Sequence, residues 1–269
     1  MTSEDKRNLP IGVFDSGIGG LSVLKVLKEQ FPHEHFVYVG DNKNNPVGNR
    51  PVEEITDIAC HIAEFLESVP VKLMVIACNT FTVVALDEVR SRVNVPVIGV
   101  SQGVKTAIAK STNNTIGIMA TVATVNSHIH KHVALEVDHE VLVWEQPCPE
   151  LAGLIEEGHL NDSTVEAVAK EYLQPLLARH ISVVVLGCTH FPFVTELLMS
   201  LSDMRICFID PAYETSDLVK RTMENNNLYR NDTGGRHITL YFTKDTSLGN
   251  MLGLQFMESN EFSVQSISL

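Results

Sequence analysis

Two periodicities alternate along the chain. Short, continuously apolar, β-branched runs read as strands: IGVF (11–14), HFVYV (35–39), KLMVIA (72–77), PVIGV (96–100), TIGIMA (115–120), EVLVW (140–144), SVVVLG (182–187), RICFID (205–210) and HITLYF (237–242). Unbroken apolarity, rather than alternation, is the mark of parallel strands covered on both faces. Between them, residues 21–31, 51–69, 82–93, 127–137, 162–180 and 194–202 carry apolar positions at helical spacing. Strand followed by helix, repeated, predicts βαβ units and a mostly parallel sheet, an α/β fold.

The pattern also repeats at longer range. IGVFDSGIGG (11–20) resembles IGIMATVATV (116–125), and VIACNTFT (75–82) resembles VLGCTHFP (185–192). The two similar offsets predict two pseudo-symmetric α/β domains. The first is expected over 1–98, completed by the returning tail 211–269, which holds the HITLYF strand and a last helix; the second covers 99–210. The site is expected in the cleft between them.

Composition narrows the class. Of 269 residues, 44% are hydrophobic and 20% charged, which fits a globular protein and excludes a disordered or fibrous one. No apolar run reaches a membrane span, and the polar N-terminus does not read as a signal peptide, so a soluble cytoplasmic protein is expected. With 20 basic against 33 acidic residues the formal charge is −13, which argues against direct nucleic-acid binding. An anionic ligand would therefore be held by locally aimed donors. The five cysteines show no CxxC or Cys/His metal spacing, and reduced thiols are expected.

In an open α/β sheet, ligands sit beyond the C-terminal strand ends. Three polar clusters fall there: Asp15-Ser16-Gly17-Ile18-Gly19-Gly20, Cys78-Asn79-Thr80 and Cys188-Thr189-His190. The glycine loop can present N–H groups to an anion, although it lacks the P-loop lysine and the GxGxxG spacing, and a close-packed turn explains it equally. A single strand-end cysteine is ordinarily a small buried hydrophobe. Two, at matching points of repeated halves, admit three chemistries: a redox disulfide, a metal site, or an acid and a base on opposite faces of one carbon. Touching sulfurs leave no room for substrate, and only His190 stands near as a further ligand, so the acid–base reading fits best. Asp15 and His190 would assist it; otherwise Asp15 caps a helix and His190 is a packed polar residue. No lysine follows a strand in a polar cluster, which weighs against pyridoxal chemistry.

These residues bring a resemblance with them. IGVFDSGIGGLSV, VYVGD, VIACNT, VPVIGV, PELAGLIEEG, VVLGCTHFPF and IDPA, in order over about 10–215, resemble the glutamate racemases of the cofactor-independent aspartate/glutamate racemase superfamily. The resemblance implies interconversion of L- and D-glutamate without a cofactor, serving peptidoglycan synthesis in a bacterial cytoplasm. It implies Cys78 and Cys188 as the two proton carriers, with Asp15, His190 and Glu156 as further catalytic groups. Substrate contacts would come from Asp15, Ser16, Asn79, Thr80, Thr121, Thr189 and His190, with Thr124 adding a hydroxyl, and from the backbone N–H groups of Val47 and Gly48. The chain departs from the family in GDNKNNPVGNR, where Val47 replaces a tyrosine and Asn44 an arginine; Phe81 is bulkier than usual and would fill the space. A homodimer is expected, with no metal and no membrane. The alternatives are an aspartate racemase or other superfamily relative, and a regulatory protein that binds DNA gyrase.

Overall fold

The computed structural model describes residues 6–48, 50–231, 234–256 and 261–269. The first stretch of chain alternates strand and helix: β1 (Ile11–Asp15), α1 (Leu21–Gln30), β2 (Phe36–Gly40), α2 (Val52–Ser68), β3 (Leu73–Ile76), α3 (Asn79–Arg92) and β4 (Val97–Gly99). A second stretch runs α4 (Val104–Lys110), β5 (Thr115–Ala120), α5 (Val122–Ser127), α6 (Ile129–Val137), β6 (Leu142–Pro147), α7 (Leu151–Glu156), α8 (Ser163–Ala178), β7 (Val183–Gly187), a 3-10 turn at Phe191–Val194, α9 (Thr195–Leu201) and β8 (Cys207–Ile209). The tail supplies α10 (Ala212–Asn225), β9 (Ile238–Phe242), α11 (Ser247–Phe256) and β10 (Phe262–Ser266). The alternating pattern thus forms an α/β protein with two parallel sheets.

The chain divides into two compact units, Met1–Val100 with Thr215–Leu269, and Ser101–Glu214. In the first unit the strand order is β10-β9-β2-β1-β3-β4, and in the second β6-β5-β7-β8. The orders β2-β1-β3-β4 and β6-β5-β7-β8 are the same arrangement built twice, which gives the sequence repeat its structural meaning. Every pairing is parallel. β1, β2, β3 and β7 are buried along their whole length, as unbroken apolar runs require.

Each unit has its own core. In the first, α2 and α3 lay Ile55, Ala59, Ile62, Ala63, Leu66, Phe81, Ala85 and Val89 against Phe14, Met74 and Ile76. In the second, α4 and α6 cover one sheet face, packing Val104, Ala107 and Ala134 on Ile116, Ile118, Val183 and Val185. Each buried Val, Leu, Ile, Phe or Met among these contributes about 1.5–3 kcal/mol relative to exposure. The other face meets α8, whose Leu176 reaches the Gly117 position.

Three elements differ from the sequence expectation. The segment 127–137 is two helices, because His128 takes the left-handed conformation (φ 53°) and ends α5 before α6 begins. Helix α3 starts at Asn79 rather than 82, so the Cys-Asn-Thr cluster forms a helix N-terminus. A tenth strand, FSVQS at 262–266, pairs with β9 at the sheet edge; half exposed and partly polar, it lacked the apolar run that marks the others. Among the described residues no helix is long and apolar enough to cross a membrane.

Candidate active site

In the first unit the candidate residues gather at the C-terminal ends of β1 and β3. Asp15 closes β1, fully buried, and its Oδ1 accepts from the Gly17 N–H at 2.9 Å. The carboxylate thus shapes the loop rather than capping α1, whose first turn has Gly20 at the cap and no side-chain bond. The loop is pressed down on β2: Tyr38 donates its hydroxyl to Gly17 O at 2.6 Å, and a Cβ at Gly40 would stand 2.4 Å from that same oxygen. Only glycine permits this approach.

That loop brings Ser16 to the first thiol. Ser16 Oγ lies 3.6 Å from Cys78 Sγ, and the Phe81 N–H donates to the same sulfur at 3.5 Å. Cys78 therefore stands at the N-cap of α3, where backbone donors and the helix dipole favour a thiolate. Asn79 and Thr80 follow in the first turn, both buried, and Asn79 Oδ1 has no partner among the described residues. Val47 is buried in the same hydrophobic cluster as Phe14, Cys78 and Phe81. Gly48, next to it, is half-buried.

The second unit places its thiol at the equivalent strand end. Cys188 follows β7, buried beside Thr189 and His190. His190 Nδ1 lies 3.8 Å from Cys188 Sγ, and its Nε2 lies 2.6 Å from Glu156 Oε2 at the end of α7. Burial alone would depress the imidazole pKa. Its hydrogen bonds and charge interactions with Cys188 and Glu156 outweigh that and hold it well above the ordinary histidine value. Thr121 directly follows β5 and caps α5, accepting from the Thr124 N–H at 3.4 Å and donating its hydroxyl to Thr124 Oγ1 at 3.1 Å.

Thiol, imidazole and carboxylate in a row can hold a sulfur anion or pass a proton to it. A buried thiol beside a hydroxyl at a helix N-terminus can do the same by different means. Each arrangement is suited to taking up and giving back a proton.

The sequence profile described as Asp/Glu/Hydantoin racemase matches residues 11–215. The chain belongs to this racemase family. It is 38% identical over 234 residues to the glutamate racemase of Trichodesmium erythraeum (strain IMS101), covering 87% of this chain and 86% of that protein. It is 35% identical to the glutamate racemase of Syntrophus aciditrophicus (strain SB) over 97% of each chain. Among solved structures, glutamate racemase isoform RacE1 from Bacillus anthracis superposes with a TM-score of 0.89 at 29% identity, over 98% of both chains. The glutamate racemase from Francisella tularensis, solved in complex with D-glutamate, does so at 0.85 and 33%, again over 98% of both.

Within this racemase fold, two neighbours of the candidate residues escaped the sequence reading. Asp41, at the end of β2, is buried and accepts from Asn44 Nδ2 at 2.7 Å and from Thr243 Oγ1 at 2.6 Å. Its N–H donates to Asp15 O, which joins the two acids at adjacent strand ends. The VYVGD motif carried it, but the partner that fixes it lies 202 residues away. Cys148 follows β6, fully buried, with its thiol pKa pushed well up by burial and, secondarily, by the charge of Cys188. Lys72, also buried, is committed elsewhere: it pairs with buried Glu34 and donates to Arg7 O and Leu228 O, both at 2.9 Å.

Proposed function

We propose that this protein is a glutamate racemase in which Cys78 and Cys188 act as the two proton carriers, with no pyridoxal cofactor. The observation that carries the reading is the repetition: the same strand order twice, each time with a buried thiol beyond the third strand in that order, beside its own polar groups. The names and extent of the relatives support glutamate as substrate.

In this reading one thiolate removes the Cα proton. The C–H bond breaks, an S–H bond forms, and the electron pair stays on Cα, delocalised into the adjacent carboxylate. The opposite thiol then delivers its proton to the other face. His190, held cationic by Glu156, stabilises the Cys188 thiolate; the Ser16 hydroxyl and the α3 N-terminus do so for Cys78. The substrate carboxylates fall to short-range donors: Ser16, Asn79, Thr80, Thr121, Thr189 and the N–H groups of Val47 and Gly48. In a chain of charge −13, local donors of this kind are what a dianion requires. Asp15 is left to meet the ammonium. The product, D-glutamate, would serve peptidoglycan synthesis in a bacterial cytoplasm.

Racemisation of L-glutamate in deuterium oxide is expected to place deuterium at Cα of the D-product; protium retained there would overturn the two-base scheme. Cys78→Ser and Cys188→Ser are each expected to lower turnover by about 10³-fold or more in both directions, as loss of a positioned acid–base does. Near-normal turnover in either variant would remove that thiol from the mechanism.

A further inference from the structure

Two buried polar side chains of the second unit share one face of its sheet and carry atoms without a hydrogen-bond partner among the described residues. His130, in the first turn of α6, is 1% exposed, and neither ring nitrogen has a hydrogen-bond partner among the described residues. A Cβ placed on Gly187 would meet His130 Cε1 and Ala120 Cβ, each at 3.1 Å. The ring therefore rests on the last residues of β5 and β7, immediately before Thr121 and Cys188. Glu145, on β6, stands opposite Ile118 of β5, so by strand alternation its side chain leaves the sheet on the face of Ile118 and Ala120. Its side chain is 8% exposed; Oε2 lies 2.7 Å from His128 Nδ1, whereas Oε1 is buried and unpartnered among the described residues.

Burial alone depresses the His130 pKa to about 4, so the ring is neutral near pH 7 and carries one donor and one acceptor. An apolar side chain of that size would fill the same space without stranding either group, and a stranded buried polar atom is costly. The carboxylate oxygen accepts only, and a water molecule can donate to it while serving either nitrogen of the imidazole. A polar, enclosed site with two or more such groups is where internal water resides.

We propose that His130 and Glu145 share an internal water site between α6 and the β6-β5-β7 strands, and that this hydrated pair is a positioning element for the strand ends bearing Thr121 and Cys188. The site is independent of the reaction; the positioning role rests on the reading of Cys188 as a reacting thiol. Its mechanism is mechanical and short in range. The ring supports the Gly187–Cys188 backbone from below, and the water ties the ring to β6 through Glu145. Loss of the link lets the turn relax and loosens the contact between Cys188 and His190.

Crystals of the whole protein diffracting well enough to show solvent should contain a water within hydrogen-bond distance of a His130 nitrogen and of Glu145 Oε1; a dry site would overturn the proposal. In solution, His130→Phe and Glu145→Gln should lose stability non-additively, the double variant losing little more than the worse single one. Strict additivity would deny the link. For the positioning role, the pH midpoint of alkylation at Cys188, mapped by peptide, should rise in His130→Phe, while that of Cys78 in the same molecules stays put and His130→Gln restores it. Turnover should fall by about tenfold with KM within about twofold, the pattern of misplaced reacting groups. Unchanged kcat and an unchanged Cys188 midpoint would overturn positioning. Turnover surviving in Cys188→Ser would instead count against the thiol assignment, and the crystallographic result would still decide the water site.

Discussion

His130 and His190 are both buried, yet their surroundings drive them in opposite directions. His130 meets burial alone, and its pKa falls to about 4. His190 is penalised by burial as well, but Cys188 and Glu156 overcome the penalty and raise it. The consequences for stability are opposite in sign. A depressed histidine binds fewer protons folded than unfolded, so His130 should cost stability as pH falls from about 6.5 to about 4, by roughly 3 kcal/mol in all. The raised His190 contributes stability that is complete below the unfolded value near 6.5 and is lost as pH climbs through its folded value. Urea midpoints measured from pH 4 to 9 should therefore fall at both ends. His130→Phe should flatten the acid limb and Glu156→Gln the alkaline one. An acid limb unchanged in His130→Phe would place that proton uptake on other groups.

At the scale of elements, the tail is fitted to the first sheet through one ring. Phe242, the last residue of β9 and fully buried, lies against two glycines: a Cβ would stand 2.8 Å from it at Gly40 and 2.2 Å at Gly249. The two sites are not equivalent. At Gly249 the obstacle is the rim of a ring, and alanine also improves helix propensity by about 1 kcal/mol, so Gly249→Ala should cost no more than about 1–2 kcal/mol. At Gly40 the nearest atom is the Gly17 carbonyl oxygen at 2.4 Å, which is backbone of the Ser16 loop. Gly40→Ala should therefore cost more stability than Gly249→Ala, and it should depress turnover besides by displacing Ser16 from Cys78. Thermal melts and initial rates of the two variants decide this, and equal losses in both would refute the distinction.

On the scale of the whole molecule, the last third of the first unit's sheet comes from the far end of the chain. β9 pairs with β2 along its full length, and Thr243 just beyond it holds Asp41. Removing residues 235–269 should expose the β2 edge, strip Phe242 from the core and abolish racemisation. A truncated protein that still unfolds cooperatively with native turnover would show the tail to be dispensable. What the sequence determined by itself was local: strand–helix alternation, the positions of nine strands, the repeat, and polar clusters at strand ends, because continuous apolar runs and 3.6-residue spacing are written within single elements. Asp15, Cys78 and Cys188 could be placed at strand ends on that basis. The tertiary structure alone decided what depends on distant partners: the β10 edge strand, the pairing of Asp41 with Thr243, the His190–Glu156 contact, and the burial of His130 and Glu145 on a shared face. A hydrogen bond or a desolvated group is a property of what the chain brings next to it, and no single stretch of sequence carries that information.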